Sequence, residues 1–349
     1  MTAAATDAAS TVVAPRRIVG LDAARGLAVV AMVVAHALPF ISSRLSETAT
    51  FVLLQVNDLA SPLFALVMGV AAGLVFPRGT ALRGVGRALV RGAALILLGV
   101  GLEQLDHWVA VILHILGLLV IVGTPLLVLE SRWLLGIAAV LFVAGPYVIE
   151  GVTAAAGGVA GGAATTAEWA ANPLVQWLVT TTHYRVLTLL PLFLIGAVLA
   201  RRGLDDERTT WWCLMGGVAL LWASFAAELV GHPVVFSGDF TDQAQENGLA
   251  LAAYGLVMSA DIAGRRRDSG RPVLGALALV GQVALSLYVA HVALLVPVIP
   301  RFPEGGWLVF GGFIVMSIVT AWAWARWIGR GPVERLIDLI SPARRAAAA

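Results

Sequence analysis

Three ionisable residues, Asp22, Arg25 and His36, interrupt the apolar stretch that follows Arg16 and Arg17 and ends at residue 41. On a helix turning about 100° per residue, all three fall within about 60° of one face. A charge in hydrocarbon costs at least about 2.5 kcal/mol, so we expect the three to face a protein interior or a water-filled cavity. An imidazole there can act as a general base or a nucleophile. The alternative is a structural Asp–Arg pair and a histidine that serves packing.

Four more ionisable residues are expected near His36: Asp58, Arg185 and His291 at about its depth, and His114 a turn or two deeper. They belong to four other predicted helices, so several helices can assemble one polar basin. We interpret Asp58 as a catalytic partner of the histidine and the other three as substrate-binding residues. The alternative is that histidines near a membrane interface have no special role.

A basic, glycine-punctuated segment, FPRGTALRGVGRALVRG, begins at residue 76 and contains Arg78, Arg83, Arg87 and Arg91. Guanidinium groups pair with phosphate through two parallel hydrogen bonds. Such a cluster would hold a coenzyme with three phosphate groups. The alternative is that these arginines only anchor a cytoplasmic loop, as positive-inside topology requires.

The composition indicates a polytopic membrane protein with an all-α fold. Hydrophobic residues make up 59% of the 349 residues and the mean hydropathy is +0.89, well above the roughly 45–50% apolar content of soluble domains. We expect almost no soluble domain and no nucleic-acid partner. The single cysteine, Cys213, excludes an internal disulfide. Zinc-type Cys/His spacing, a P-loop and a G-x-S-x-G elbow are absent from the sequence, so we expect no metal.

Apolar windows predict ten membrane helices. Most arginines fall on the segments between helices that this topology places on one side of the membrane. This asymmetry predicts that both termini are cytoplasmic. We expect a disordered tail at 1–15, a membrane domain at 16–330 and a cytoplasmic tail at 331–349. The outer segment 151–184 is predicted as a flexible loop or a short surface helix. The predicted helices are about 18–41, 51–76, 87–105, 109–129, 132–150, 185–201, 209–230, 247–262, 273–298 and 307–328.

The run LDAARGLAVVAMVVAH resembles the first helix of acyltransferase family 3, in which an arginine is followed, after ten residues, by a histidine. Arg25 and His36 have that spacing. The run NDLASPLFALVMGVAAGL, residues 57–74, is similar to a second helix of the same superfamily, which includes the heparan-α-glucosaminide N-acetyltransferase-like proteins. The pieces GQVALSLYVAH and RGPVERLI resemble the end of a related bacterial inner-membrane family. The histidine and Trp-x-Gly of the heparan-type enzymes are absent between Ile41 and Asp58.

The resemblance implies a membrane-bound O- or N-acyltransferase in the inner membrane of a bacterium. It implies acetyl-CoA, or another acyl-CoA, as donor and His36 as the catalytic residue. We expect the acceptor to be an extracytoplasmic glycan or glycolipid, and the oligomeric state stays open. The alternative from another class is a proton-coupled transporter or exporter, in which buried His, Asp and Arg carry protons or solute. A third is a scaffold with structural charges.

Overall fold

The computed structural model describes residues 18–76, 81–162, 166–267 and 271–341, and the side chains of 81–83 are not among those described. Across these ranges the chain is helical and contains no strand. Short 3-10 and π-helical turns join some of the helices. The thirteen α-helices of the described chain are α1 (Val19–Ala37), α2 (Glu47–Val75), α3 (Ala81–Glu103), α4 (Leu113–Leu126), α5 (Ser131–Ala155), α6 (Pro173–Val175), α7 (Val186–Arg202), α8 (Glu207–Leu229), α9 (Phe240–Arg266), α10 (Pro272–Gln282), α11 (Ala284–Arg301), α12 (Trp307–Trp327) and α13 (Pro332–Ile340).

Seven helical segments of the described chain are long and apolar enough to cross a membrane. An all-α membrane bundle is therefore confirmed. The predicted spans at 109–129, 185–201 and 247–262 correspond to α4, α7 and α9, which are shorter or more polar. The ten-span count and the orientation of the chain stay predictions. The seven segments are Val19–Phe40, Glu47–Val75, Gly84–Glu103, Ser131–Ala155, Glu207–Leu229, Ala284–Arg301 and Trp307–Trp327.

The prediction of one continuous helix at 273–298 is wrong. The helix breaks at Val283, where φ is −118° and ψ is 23°, and this residue separates α10 from α11. The backbone N–H groups of Leu285 and Ser286 donate to Oε1 of Glu334 at 2.8 and 3.1 Å. The Glu334 carboxylate on α13 therefore caps the new helix end.

The predicted C-terminal tail and the segment predicted to lie outside the membrane contain more structure than the sequence indicated. Residues 1–15 lie outside the described residues, whereas residues 331–349 include α13, which packs against α3 and α11. In the segment 151–184, α5 continues to Ala155 and short helical turns cover 168–171 and 173–180. Trp169 on these turns is exposed, but Trp177 packs against the ring of His114, with ring centroids 4.8 Å apart.

Helix α1 lies at the centre of the bundle and contacts α2, α9, α10, α11 and α12. Small residues allow the closest approaches. A Cβ at Gly26 would lie 2.0 Å from the carbonyl oxygen of Leu277 on α10, and a Cβ at Gly69 would lie 2.0 Å from that of Phe193 on α7. Backbone-to-backbone contact of this kind fixes helix positions in membranes. The packing therefore holds α1, with its three ionisable residues, against its neighbours.

Candidate active site

A cavity of about 570 Å³ lies between α1, α2, α3, α4, α10, α11 and α13. It extends along α4 from Thr124 to Ile112, a distance of about 18 Å at 1.5 Å per residue. Most of its wall is apolar, with Leu21, Phe64 and Leu116 among the lining residues. The volume falls in the range of small-molecule and cofactor sites, which are concave and mainly apolar with a few polar groups.

Three arginines line one end of this cavity: Arg25, Arg91 and Arg330. We call this end the arginine mouth. Nη1 of Arg25 lies 3.0 Å from Oδ1 of Asp22. Asp338 on α13 lies between the other two: its Oδ1 is 3.7 Å from Nη2 of Arg91, and its Oδ2 accepts a hydrogen bond from Arg330. The side chains of Arg91 and Arg330 are 44% and 57% exposed, so this end of the cavity is open to solvent.

The other end of the cavity is buried and is formed by Tyr288 and Ile112. The backbone N–H of Ile112 donates to the Tyr288 hydroxyl oxygen at 3.1 Å. The tyrosine ring makes edge contacts with the rings of His36 and His291, with centroid distances of 6.2 and 5.5 Å. The cavity therefore connects an exposed cluster of cations to the vicinity of two histidines.

His36 and His291 form a hydrogen-bonded pair, with Nδ1 of His36 2.7 Å from Nε2 of His291. Nδ1 of His291 lies 2.8 Å from the carbonyl oxygen of Leu287, which can only accept, so this nitrogen carries a proton. With both rings neutral, Nε2 of His291 accepts from Nδ1–H of His36. The lone pair of His36 is then on Nε2, as a general base or a nucleophile requires.

A second, smaller cavity of about 10 Å³ touches His36 on the side of α2. Its polar lining residues are His36, Asn57, Ser61 and Tyr184, and its volume is close to that of one enclosed water molecule. Phe64 and Ile112 line both cavities, so these two apolar side chains separate them. His36 thus lines the small polar cavity, and Tyr288, which contacts its ring, lines the large one.

Asp58 lies beside this small cavity but not in its lining. Its Oδ1 accepts from Nδ2 of Asn57 at 2.9 Å and its Oδ2 accepts from Nε2 of Gln245, also at 2.9 Å. Both carboxylate oxygens are therefore engaged by amide groups. The Asp58 carboxylate orients Asn57, which does line the cavity that touches His36.

Arg185 and His114 are buried at positions outside the linings of both cavities. The guanidinium of Arg185 donates from Nη1 to the Ser237 carbonyl at 2.5 Å and from Nη2 to the Thr182 carbonyl at 3.3 Å. The side chain therefore joins the loop before α7 to the loop before α9. Nδ1 of His114 is 3.5 Å from Oε1 of Glu103 without the geometry of a hydrogen bond.

Arg91 belongs to the basic segment that was predicted to bind phosphate, and it lines the arginine mouth. Arg78 lies outside the described residues, and the side chain of Arg83 is not described. The guanidinium of Arg87 stacks on the Phe76 ring at 5.5 Å and does not line the cavity, whereas Arg91 of the same segment does. Sequence reasoning did not select Arg330 as a site residue. Its position beside Arg91 depends on how α12 and α13 pack.

Tyr288 is a second residue that sequence reasoning did not select. It precedes His291 by three residues, so both side chains lie on one face of α11. The spacing of three residues between this tyrosine and a candidate histidine could have been used to select Tyr288 from the sequence. Among the described residues, no group of three or more His, Cys, Asp or Glu side chains is arranged to hold a metal ion.

A model of a known protein family, described as an acyltransferase domain, matches residues 18–326 of this chain. The match includes α1 to α12 and therefore His36, Tyr288, His291 and two of the three mouth arginines. It ends before Arg330 and α13. A search of curated proteins found no match.

Proposed function

The chain belongs to acyltransferase family 3, and from this premise we propose that it transfers an acyl group from a coenzyme A thioester to an extracytoplasmic acceptor. The acyl group is an acetyl group, and the acceptor is a hydroxyl or an amine of a glycan or glycolipid. One observation supports this proposal above the others: a single cavity leads from the arginine mouth to Tyr288, whose ring contacts both histidines.

The arginine mouth suits the phosphate groups of the donor. Arg25, Arg91 and Arg330 present guanidinium groups on one side of the opening, and guanidinium pairs with phosphate more strongly than with neutral acceptors. In this proposal the arginine mouth faces the cytoplasm, where coenzyme A thioesters are found. The pantetheine arm then extends along the mainly apolar wall beside α4, and the thioester reaches Tyr288 and Ile112.

His36 performs the chemistry in this proposal. Its Nε2 accepts the proton of the acceptor hydroxyl or amine while the acceptor oxygen or nitrogen bonds to the thioester carbonyl carbon. The carbon–sulfur bond then breaks, and the thiolate takes the proton from His36. Coenzyme A and the acylated acceptor leave with no net change in the enzyme. The same lone pair would permit an acyl-histidine intermediate, which differs in the order of these bonds.

The small polar cavity beside His36 is the place for the acceptor group. Asn57, Ser61 and Tyr184 can hydrogen-bond a hydroxyl or an amine there, and Asp58 fixes the amide of Asn57. Arg185 contributes by holding the loop that carries Tyr184. In this proposal His36 is the catalytic residue, Asp58, which the sequence suggested as its catalytic partner, acts through Asn57, and Asp22 and Arg25 bind the donor. The roles of His114 and of Arg78, Arg83 and Arg87 remain proposals.

The test of this function is the turnover of acetyl-CoA by the purified protein in detergent. Without acceptor, we expect slow release of free coenzyme A, because water can occupy the acceptor position. His36→Ala should abolish this release, whereas His232→Ala, which changes an exposed histidine, should not. Absence of any acetyl-CoA turnover, or equal turnover in the His36→Ala variant, would contradict the proposal.

A further inference from the structure

Tyr288 lines the large cavity, and its ring contacts both members of the histidine pair. Its side chain is 3% exposed and lines the buried end of the large cavity. The ring is in edge contact with His36, whose Nε2 carries the free lone pair. A thioester that reaches this end therefore has the tyrosine on one side and the catalytic imidazole close by.

The hydroxyl of Tyr288 is oriented by a hydrogen bond that it accepts, so its own proton stays available for donation. The oxygen accepts the N–H of Ile112 at 3.1 Å, and a backbone N–H can only donate. Within the described chain, no acceptor is bonded to the tyrosine O–H. A buried hydroxyl that is held in place and still has a proton to donate is suited to a ligand oxygen in the cavity.

We propose that the Tyr288 hydroxyl donates a hydrogen bond to the carbonyl oxygen of the donor thioester and stabilises the oxyanion formed there. The inference rests on the proposed function. As the acceptor atom bonds to the carbonyl carbon, the π electrons of the C=O bond move to oxygen, which becomes negative. Tyr288 keeps its proton and only strengthens its hydrogen bond. When the carbon–sulfur bond breaks, the C=O bond is restored.

A donor of this type acts mainly in the transition state. Removing one oxyanion donor lowers kcat by about 100-fold to 1000-fold in well-studied acyl-transfer enzymes. Tyr288→Phe should therefore reduce kcat for acetyl-CoA turnover by about 100-fold and leave KM nearly unchanged. Tyr254→Phe is the matched control, because Tyr254 is an equally buried tyrosine, on α9, that lines neither cavity.

A binding experiment separates this role from a structural one. Two donor analogues are compared: a trifluoromethyl ketone analogue of acetyl-CoA, which mimics the tetrahedral oxyanion, and a thioether analogue, which has no carbonyl. In Tyr288→Phe we expect the affinity for the ketone to fall by about 100-fold, with less than 3-fold change for the thioether. Equal losses for both analogues, or no loss for either, would overturn the inference.

Tyr288→Phe also removes the acceptor of the Ile112 N–H, so a second variant keeps the hydroxyl. Replacing Tyr288 with 3-fluorotyrosine retains the bond to Ile112 and makes the phenol a stronger donor. We expect tighter binding of the ketone and unchanged binding of the thioether. Unchanged ketone affinity would overturn the inference. If wild-type protein turns over acetyl-CoA but these variants behave like wild type, the oxyanion role fails while the proposed function stands.

Discussion

At the scale of single residues, the histidine pair decides which nitrogen of His36 can react. The bond from Nδ1 of His36 to Nε2 of His291 is 2.7 Å, and the Leu287 carbonyl fixes the proton on the other nitrogen of His291. His291 is 1% exposed and both of its ring nitrogens are engaged. In the proposed function, His291 is therefore a positioning residue that holds the tautomer and orientation of His36.

This arrangement predicts different outcomes for two substitutions of His291. In His291→Ala, Nδ1 of His36 loses its acceptor, so the ring can rotate or change tautomer, and kcat should fall by about 10-fold or more with little change in KM. His291→Gln places a carbonyl oxygen in reach of the same N–H and should recover part of the loss. Steady-state kinetics on both variants, with His183→Ala as an exposed-histidine control, give the comparison. A Gln variant no better than the Ala variant would contradict the tautomer argument.

The residue pattern in the sequence located part of this site. Asp22, Arg25 and His36 lie on one helix, α1, as their spacing predicted, because helical periodicity is a local property. Asp22 and Arg25 do line the large cavity, and His36 lines the small one. The bond between His36 and His291 joins residues 255 positions apart, and such a contact is set by packing alone.

At the scale of elements, α13 forms part of the arginine mouth. Glu334 caps α11. The Asp338 carboxylate pairs with Arg91 and Arg330, as a phosphate group of the donor would. Exposed ion pairs contribute only about 0–1 kcal/mol, so an incoming phosphate can displace the Asp338 carboxylate at low cost. The helix thus holds the two arginines near each other when no donor is bound.

If Asp338 competes with the donor, Asp338→Asn should lower the KM for acetyl-CoA by about 2-fold to 5-fold, which corresponds to up to about 1 kcal/mol. The effect should shrink at high salt, where the charges are screened. Asp205→Asn is the control, because Asp205 pairs with Arg265 outside the cavity, at 2.5 Å. A higher KM in Asp338→Asn would indicate that the carboxylate supports donor binding.

The break between α10 and α11 could not be predicted from the periodicity of the sequence. Residues 273–298 are apolar throughout, so a single span was the natural prediction, yet the chain divides at Val283. The division is stabilised by Glu334, 49 residues beyond Leu285, and by the close contact of Gly26 with α10. Neither contact leaves a signal in the local hydrophobic pattern.

At the scale of the whole molecule, composition alone identified a membrane bundle, because 59% hydrophobic residues cannot be accommodated in a soluble domain of this size. The cavity could not be predicted in the same way. Arg25, Arg91 and Arg330 come from three distant parts of the chain and meet only through the packing of α1, α3 and the turn between α12 and α13.

The orientation of the bundle gives a further prediction. Cys213 is buried, so labelling of the natural cysteine should be low. Ala155→Cys, at an exposed position at the end of α5, should react with a membrane-impermeant maleimide added to intact cells. Asp205→Cys, at a position with a 77% exposed side chain, should react only after the membrane is permeabilised. The opposite pattern would place the arginine mouth on the outer face and contradict cytoplasmic donor binding.

The central claim is that one cavity binds the donor at Arg25 and delivers its thioester to His36. The most direct measurement is donor affinity and turnover on the purified Arg25→Gln and His36→Ala variants, with thermal stability recorded on the same samples. The account predicts that Arg25→Gln weakens acetyl-CoA binding, whereas His36→Ala binds acetyl-CoA as wild type does and loses turnover. Loss of stability in both variants together, or acyl transfer retained by His36→Ala, would contradict it.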